Sequence, residues 1–258
     1  MKTYFKLELK KALLSWRTII FILITLIFLG MPYLNEINSP YVDFDGISYF
    51  VRVYQMSYIG IISPVIIGFV YATSIIKDKE SGFLSKLLEV IDIKTYYLVK
   101  LIVNNIVTFL IFAISHMILI LHFIIRFGLN YSDSKGMSVG TFSNIFYSSK
   151  IVYIILVVLF VSISAAAFST FVLGITAAFE RKLVSYIFPA FYVVLTSIFF
   201  GNFSINSVID FDITRLFNLN YGARPLSIII YDLILIALGL LLLYRFGYRK
   251  TLDLHEKI

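Results

Sequence analysis

The chain lacks cysteine and has few charged residues. With no cysteine among 258 residues, disulfides, thiol catalysis and cysteine-ligated metal sites are excluded. Charged residues make up 14% of the chain, whereas soluble proteins have about 25%. Hydrophobic residues reach 60%, with a mean hydropathy of +0.92. A soluble fold of this length could not bury so much apolar surface, so the composition indicates an integral membrane protein.

Catalytic sequence motifs are also missing. There is no G-x-x-x-x-G-K-[ST] loop to hold ATP phosphates, no H-E-x-x-H and no G-x-S-x-G. Only three histidines are present, which leaves little for a metal site. We therefore expect no catalytic, cofactor-binding or metal-binding residue and no cofactor. If ATP drives this protein, a second polypeptide must hydrolyse it.

Six long apolar runs predict an all-α polytopic membrane protein. A spanning helix needs about 20 apolar residues. We predict one transmembrane domain over residues 1–258, with spans at about 18–34, 58–76, 95–125, 151–178, 183–201 and 226–246. Pro64 and Pro189 fall inside the second and fifth spans, where a kink is expected.

The distribution of basic residues predicts the orientation. Sixteen of the 22 lysines and arginines lie before the first span, in or beside the loop between spans two and three, between spans four and five, or at and beyond the end of the sixth. Cytoplasmic loops carry such an excess, so both termini are expected in the cytoplasm. This placement favours membrane orientation over nucleic-acid binding as the reason for the net charge of +7. The abundance of Ile, Lys, Asn, Tyr and Phe is typical of an AT-rich bacterial genome, so we expect the bacterial plasma membrane.

The start of the chain has an amphipathic pattern. Over residues 3–16, one helical face carries Phe5, Leu9, Ala12, Leu13 and Trp16, and Lys6, Lys10 and Arg17 lie opposite. This pattern is typical of an interfacial helix with its apolar side in the membrane and its lysines toward anionic lipid. An ordinary basic flank of the first span is the alternative.

The segment between spans two and three is the most informative. Phe83, Leu84, Leu87, Leu88 and Ile91 fall on one face of a short predicted helix, and Gly82 allows the chain to turn before it. Such a helix can lie under the membrane or dock into the groove of a partner. A solvated, charge-mixed loop is the alternative.

This segment resembles a signature of ABC type-2 exporter permeases, "E-x-G-x-L-x-x-L-L". It is carried here by Glu80, Gly82, Phe83, Leu84, Leu87 and Leu88, and "YYLVK" then leads into the third span. The family often has Thr where Phe83 stands. The resemblance implies that the segment is a coupling helix that docks on a separate ATPase (nucleotide-binding) subunit. It also implies export and a homodimer, or a heterodimer with a paralogous permease.

The expected function is therefore that of a permease subunit of an ATP-driven exporter. Aromatic residues are frequent in the outer loops and in spans two and five, which suits amphipathic or hydrophobic cargo. Small toxin or antimicrobial peptides are the first guess, because the size and AT-rich composition of the chain are similar to those of permeases of phenol-soluble modulin and bacteriocin exporters. The alternatives are a non-transporting membrane protein, such as a self-immunity factor, and a proton-coupled carrier.

Several residues inside the predicted spans are candidates for packing or function. A row of small residues at four-residue spacing, typical of helix packing or a dimer face, consists of Ser162, Ala166, Thr170, Gly174 and Ala178. His116 and Asp232 are the intramembrane polar candidates, and a proton-coupled carrier would use them. Between spans five and six, residues 202–225 could form re-entrant helices or an ordinary external loop.

Overall fold

A computed structural model describes residues 2–38, 44–129, 139–200, 210–219 and 222–255. Those residues contain helices and no strand, as the sequence predicts. Six helices are long and apolar enough to cross a membrane: Trp16–Glu36, Ile59–Glu80, Ile93–Phe127, Lys150–Phe179, Lys182–Phe199 and Pro225–Asp253. The prediction of six spans is confirmed, and the last helix continues beyond the predicted end at residue 246.

The helices are numbered in chain order over the described residues. They are α1 (Lys2–Leu13), α2 (Trp16–Glu36), α3 (Gly46–Met56), α4 (Ile59–Val70), α5 (Ser74–Glu80), α6 (Phe83–Leu88), α7 (Ile93–Phe127), α8 (Ser143–Ser148), α9 (Lys150–Phe179), α10 (Lys182–Val194), α11 (Thr214–Phe217), α12 (Pro225–Leu242) and α13 (Lys250–His255). Two π-helical stretches, Leu195–Phe200 and Leu243–Arg249, extend α10 and α12.

Both described chain ends lie at one end of the bundle, which we call the proximal end. Here Tyr4 of α1 stacks on Tyr96 at the start of α7, and Thr251 of α13 is hydrogen-bonded to Tyr97. The opposite, distal end contains α3 and α8, and Lys150 pairs with Asp45 there at 2.5 Å. With 35 residues at 1.5 Å each, α7 is about 52 Å long and connects the two ends.

The second span, made of α4 and α5, is jointed, and α3 extends it at the distal end. It runs antiparallel to α7, because the Gly46 amide meets the Gly128 carbonyl at 2.9 Å and Asp78 meets Tyr96. The joints lie at Ser57–Tyr58 and Tyr71–Thr73, whereas α4 and α10 continue through Pro64 and Pro189. A break inside a membrane protein requires partners for the freed backbone groups. At the first joint, the side-chain amide of Asn218 donates hydrogen bonds to the freed carbonyls of Tyr54 and Gln55.

The described part of the segment before the last span folds into the bundle. Of the predicted region 202–225, residues 202–209 and 220–221 lie outside the described residues. Ile213, Leu216 and Leu219 are buried. The Phe217 ring lies 5.9 Å from Phe112, near the middle of α7. This packing is that of an inward-folded segment rather than of an exposed external loop.

Helix α9 lies at the centre of the bundle and packs on α4, α7, α10 and α12. It meets α12 closely, because a Cβ added at Gly174 would lie 2.4 Å from the Gly239 carbonyl oxygen. The spans in α2 and α10 are the least enclosed, with 22% of each buried inside the chain. These two helices therefore present most of their surface to lipid or to another subunit.

Helix α1 uses part of its apolar face within the protein. Phe5, Leu9 and Leu13 are half-buried against the core, and Ala12 is buried, whereas Trp16 is 72% exposed. The face that the sequence assigns to the membrane is thus divided between the bundle and the surroundings. A helix that lay flat on lipid would turn its whole apolar face away from the bundle. Packing on the protein core is therefore a second reason for the apolar pattern of α1.

Candidate functional site at the proximal end

The segment between the second and third long helices forms an elbow. Helix α5 ends at Glu80, Gly82 adopts φ +67°, and α6 begins at Phe83. An added Cβ at Gly82 would have no atom within 4 Å, so the left-handed backbone rather than space favours glycine here. The elbow lies between spans two and three, where the sequence places it.

The apolar row of α6 is divided between two environments. Leu84 is 8% exposed and belongs to a cluster with Ile75, Tyr96 and Leu173. Leu87 and Leu88 are half-buried against the same cluster. Only Phe83 of the predicted row is exposed, at 43%. Three of the four residues expected to face a partner therefore contribute to holding α6 on its own bundle.

The outward surface of the elbow carries a different set of residues. Val90, just after α6, is 81% exposed and is the most exposed large apolar residue near the elbow. Lys86 and Glu89 are also exposed. Phe83 and Val90 thus offer apolar contacts beside charges of both signs.

Ion pairs attach α5 to the neighbouring helices. Glu80 pairs with Lys182 at the start of α10, and Lys79 pairs with Glu180 at 2.7 Å. Lys250 of α13 approaches the same Glu180 at 3.1 Å. Partial burial tends to raise the pKa of Glu180, but hydrogen bonds from the two lysines outweigh it and lower that pKa. Glu180 therefore remains charged and connects the elbow to the end of the chain.

A buried ionic cluster lies directly behind the elbow. Lys100 is 1% exposed, and its Nζ lies 2.5 Å from a Glu8 oxygen and 2.7 Å from an Asp78 oxygen. Tyr71 donates to the same Glu8 oxygen at 2.5 Å, and Tyr96 donates to the same Asp78 oxygen at 3.0 Å. One ammonium thus holds two carboxylates, and each carboxylate has a tyrosine hydroxyl as its second donor. We call these five residues the Lys100 cluster.

Three helices and the joint after α4 supply the Lys100 cluster. Glu8 comes from α1, Tyr71 follows α4, Asp78 belongs to α5, and Tyr96 and Lys100 lie one turn apart on α7. Burial raises the pKa of Glu8, but Lys100 and the Tyr71 hydroxyl outweigh it and hold that pKa below its usual 4.5. The cluster can therefore fix the elbow, the first helix and the third span in one arrangement.

Sequence reasoning missed this cluster, although two signals were available. Lys100 lies inside the predicted third span, and it was counted only among the basic residues that set orientation. Glu8 falls on the apolar face of the first helix, three residues after Phe5 and four before Ala12. A single acid on an apolar helical face indicates a buried partner of opposite charge.

The two intramembrane polar candidates lie in separate environments. His116 is fully buried on α7; its Nδ1 is 2.7 Å from the Phe112 carbonyl, and its Nε2 has no partner among the described residues. Asp232 on α12 is 6% exposed and accepts a hydrogen bond from Ser164 at 2.8 Å. Its second oxygen has no partner in the described part of the chain.

The row of small residues on α9 packs partly within the chain. Thr170 and Gly174 lie against Gly239 of α12. A Cβ added at Gly174 would meet the backbone of Gly239, and a Cβ added at Gly239 would meet the backbone of Thr170. Thr170 also donates to Asn105 of α7 at 2.8 Å. Ser162 is buried, whereas Ala166 and Ala178 are half-buried. Close helix packing is thus one use of this row, at its Thr170–Gly174 end.

These features define a helical, multi-pass membrane protein with a structured elbow at its proximal end. No protein-family model, curated protein or solved structure matches the chain. Within the described ranges, no group of three or more histidines and carboxylates could hold a metal ion. Function is therefore argued from the geometry of the elbow and the helices behind it.

Proposed function

We propose that the chain is the permease subunit of an ATP-driven ABC type-2 exporter in a bacterial plasma membrane. In this proposal α1 is the interfacial helix, both termini face the cytoplasm, and α6 is the coupling helix. A separate ATPase subunit hydrolyses ATP, since the chain has no phosphate-binding loop.

The observation that carries the proposal is the anchored elbow. A coupling element must expose a surface to its partner and must also be held firmly by the helices that it moves. Phe83 and Val90 provide the exposed surface, and Glu80, Lys79 and Asp78 provide the attachments. A solvated loop would need neither the buried Leu84 nor these ion pairs.

A second permease copy, or a paralogue, completes the proposed transporter. The spans in α2 and α10 are each only 22% buried within one chain. The outward side of α10 carries Ile187 and Phe191, which are 55% and 59% exposed. Lipid can cover such exposed apolar surfaces. A pathway between two subunits also needs helices whose surfaces are left uncovered by their own chain. We place the dimer and the pathway at α2 and α10.

Amphipathic or hydrophobic molecules are the proposed cargo, with small toxin or antimicrobial peptides first. Aromatic side chains occur on the surfaces that such cargo would meet: Tyr58 is 58% exposed beside the first joint, and Phe199 is 57% exposed near the end of the fifth span. Rings of this kind accept both apolar and amphipathic ligands.

Co-purification tests the coupling role. The full chain, expressed in its host with an affinity tag, should capture an ABC ATPase, and hydrolysis should appear only with that subunit. Phe83→Asp places a charge on the exposed surface and should abolish capture while leaving membrane insertion intact. Tyr147→Asp is the matched control, because Tyr147 is also an exposed aromatic residue but lies on α8 at the distal end.

The position of the substitution decides what the experiment measures. An Asp pair at Leu87 and Leu88 would also disturb the packing of α6 on its own bundle, because both residues are half-buried. Phe83→Asp avoids that effect. Undiminished capture by Phe83→Asp at normal membrane levels would contradict the docking assignment. ATP hydrolysis by the isolated chain would contradict the need for a partner.

A proton-coupled carrier is the second candidate, and Asp232 favours it. Asp232 is a carboxylate buried between α9 and α12, and one of its oxygens has no partner among the described residues. Such a group could bind and release a proton. Transport that persists without any ATPase, collapses with a protonophore and is lost in Asp232→Asn would establish the carrier. A self-immunity factor would instead protect cells with no transport at all.

A further inference from the structure

A cavity with a basic lining opens between α1, α2 and the second span at the proximal end. Its volume is about 240 Å³, and its charged lining comprises four cations and two carboxylates. One cation, Lys100, is already occupied by Glu8 and Asp78. The other three, Lys11, Arg17 and Lys77, have no ion pair among the described residues.

These three cations have no carboxylate oxygen within 4 Å among the described residues, whereas the neighbouring basic residues do. Lys79, Lys182 and Lys250 each have a carboxylate partner at the same end. An adjoining cavity shares Lys11 and Lys77 and adds Lys86. Besides Lys100, four positive side chains thus border two adjoining hollows, which is an arrangement that attracts a multiply oxygenated anion.

The surroundings of the cavity indicate the source of that anion. Leu14 and Trp16 are each 72% exposed, and they flank the turn from which Ser15 and Arg17 line the cavity. Tryptophan concentrates at the boundary between hydrocarbon and headgroups. The turn lies where α2, an apolar span, begins. An anion here would come from a molecule that has its apolar part beside Leu14 and Trp16.

We propose that this cavity binds the phosphate headgroup of an anionic phospholipid. Lys11, Arg17 and Lys77 contact the phosphate, and the acyl chains lie along α2 beside Trp16. The lipid thereby joins the first helix to the second span on the open side of the Lys100 cluster. This site is independent of the proposed transport function, because it needs neither an ATPase nor a cargo.

Native mass spectrometry of the purified full chain, with phosphatidylglycerol and phosphatidylcholine compared, tests the proposal. The first phosphatidylglycerol adduct should bind about tenfold more tightly than the first phosphatidylcholine adduct, since each basic group near a headgroup contributes strongly to anion affinity. The triple variant Lys11→Gln/Arg17→Gln/Lys77→Gln should lose this preference. The matched triple Lys2→Gln/Lys6→Gln/Lys10→Gln removes three exposed charges outside the cavity and should retain it.

Three results would overturn the proposal. Equal loss in the two triple variants would show general surface attraction, and no preference in the wild-type protein would show an ordinary lipid shell. A stoichiometric adduct of inorganic phosphate that displaces the lipid would show a soluble anion as the ligand. Because the wild-type measurement needs no substitution, and Lys11→Gln can be compared with its neighbour Lys10→Gln, misfolding of a triple variant does not remove the test.

Discussion

Replacing Lys100 by methionine should destabilise the protein strongly. The substitution removes the ammonium that lies 2.5 Å from Glu8 and 2.7 Å from Asp78, and both acids are only 6% exposed. Breaking a buried ion pair from one side costs about 3–5 kcal/mol, because a carboxylate remains without its partner. At about 2–4 °C per kcal/mol for a chain of this size, the unfolding temperature should fall by roughly 6–20 °C.

The matched control is Lys94→Met, an equal loss of charge at an exposed position on the same helix. It should change stability by less than about 0.5 kcal/mol. The triple variant Glu8→Gln/Asp78→Asn/Lys100→Met removes all three charges and keeps acceptors for Tyr71 and Tyr96. It should recover most of the loss, because neutral buried groups of similar volume often match a buried ion pair.

The assay is the fraction of monodisperse protein left after heating in detergent, measured by size-exclusion chromatography. The reasoning would be refuted by a Lys100→Met protein as heat-stable as Lys94→Met. It would also be refuted by a triple variant no better than Lys100→Met, since uncompensated carboxylates would then not be the cause. Membrane levels of the variants provide a second reading, because misassembled chains are degraded.

Three further predictions follow from other parts of the molecule. The pKa of Glu8 in the folded protein lies below its usual 4.5, so the ionised carboxylate stabilises the fold. Heat stability should therefore fall as the pH drops through the folded pKa. The loss should be smaller in the triple variant Glu8→Gln/Asp78→Asn/Lys100→Met, which lacks these charges. Gly239→Ala should cost about 1–3 kcal/mol because its Cβ would lie 2.6 Å from the Thr170 backbone, whereas Gly30→Ala, whose nearest neighbour is a side chain at 3.5 Å, should be neutral in the same heating assay. A reporter that fluoresces only in the cytoplasm should be bright when fused after Ile258, and a dark but stable fusion would contradict the orientation.

The spans could be predicted from sequence because each is a long apolar run, and such runs have one stable solution in lipid. The joints of the second span could not. Residues 57–58 and 71–73 contain neither proline nor glycine, and the first joint depends on Asn218, which lies about 160 residues away in the chain. Helix breaks stabilised by distant side chains leave no local pattern.

The elbow was predictable in position and only partly in orientation. The spacing of Phe83, Leu84, Leu87 and Leu88 predicts a short helix with one apolar face, and the structure has a helix at Phe83–Leu88. The spacing cannot predict which part of that face packs on the protein itself, because the residues that bury it, Tyr96 and Leu173, belong to other helices. A helical pattern identifies an apolar face without identifying what packs against it.

The joint at Tyr71–Thr73 has a mechanical consequence. On one side of it, α4 is locked to α10, where a Cβ on Gly68 would collide with the Ser185 carbonyl at 2.4 Å. On the other side, α5 is bound through Asp78 to α7 and through Lys79 to the end of α9. Glu80 on the same helix also pairs with Lys182 at the start of α10. In the proposed coupling, a displacement of Phe83 would therefore reach α7, the end of α9 and the start of α10 together. The break in the helix at residues 71–73 would let α5 change its angle to α4, and the ion pairs of α5 would pass that change to the three other helices.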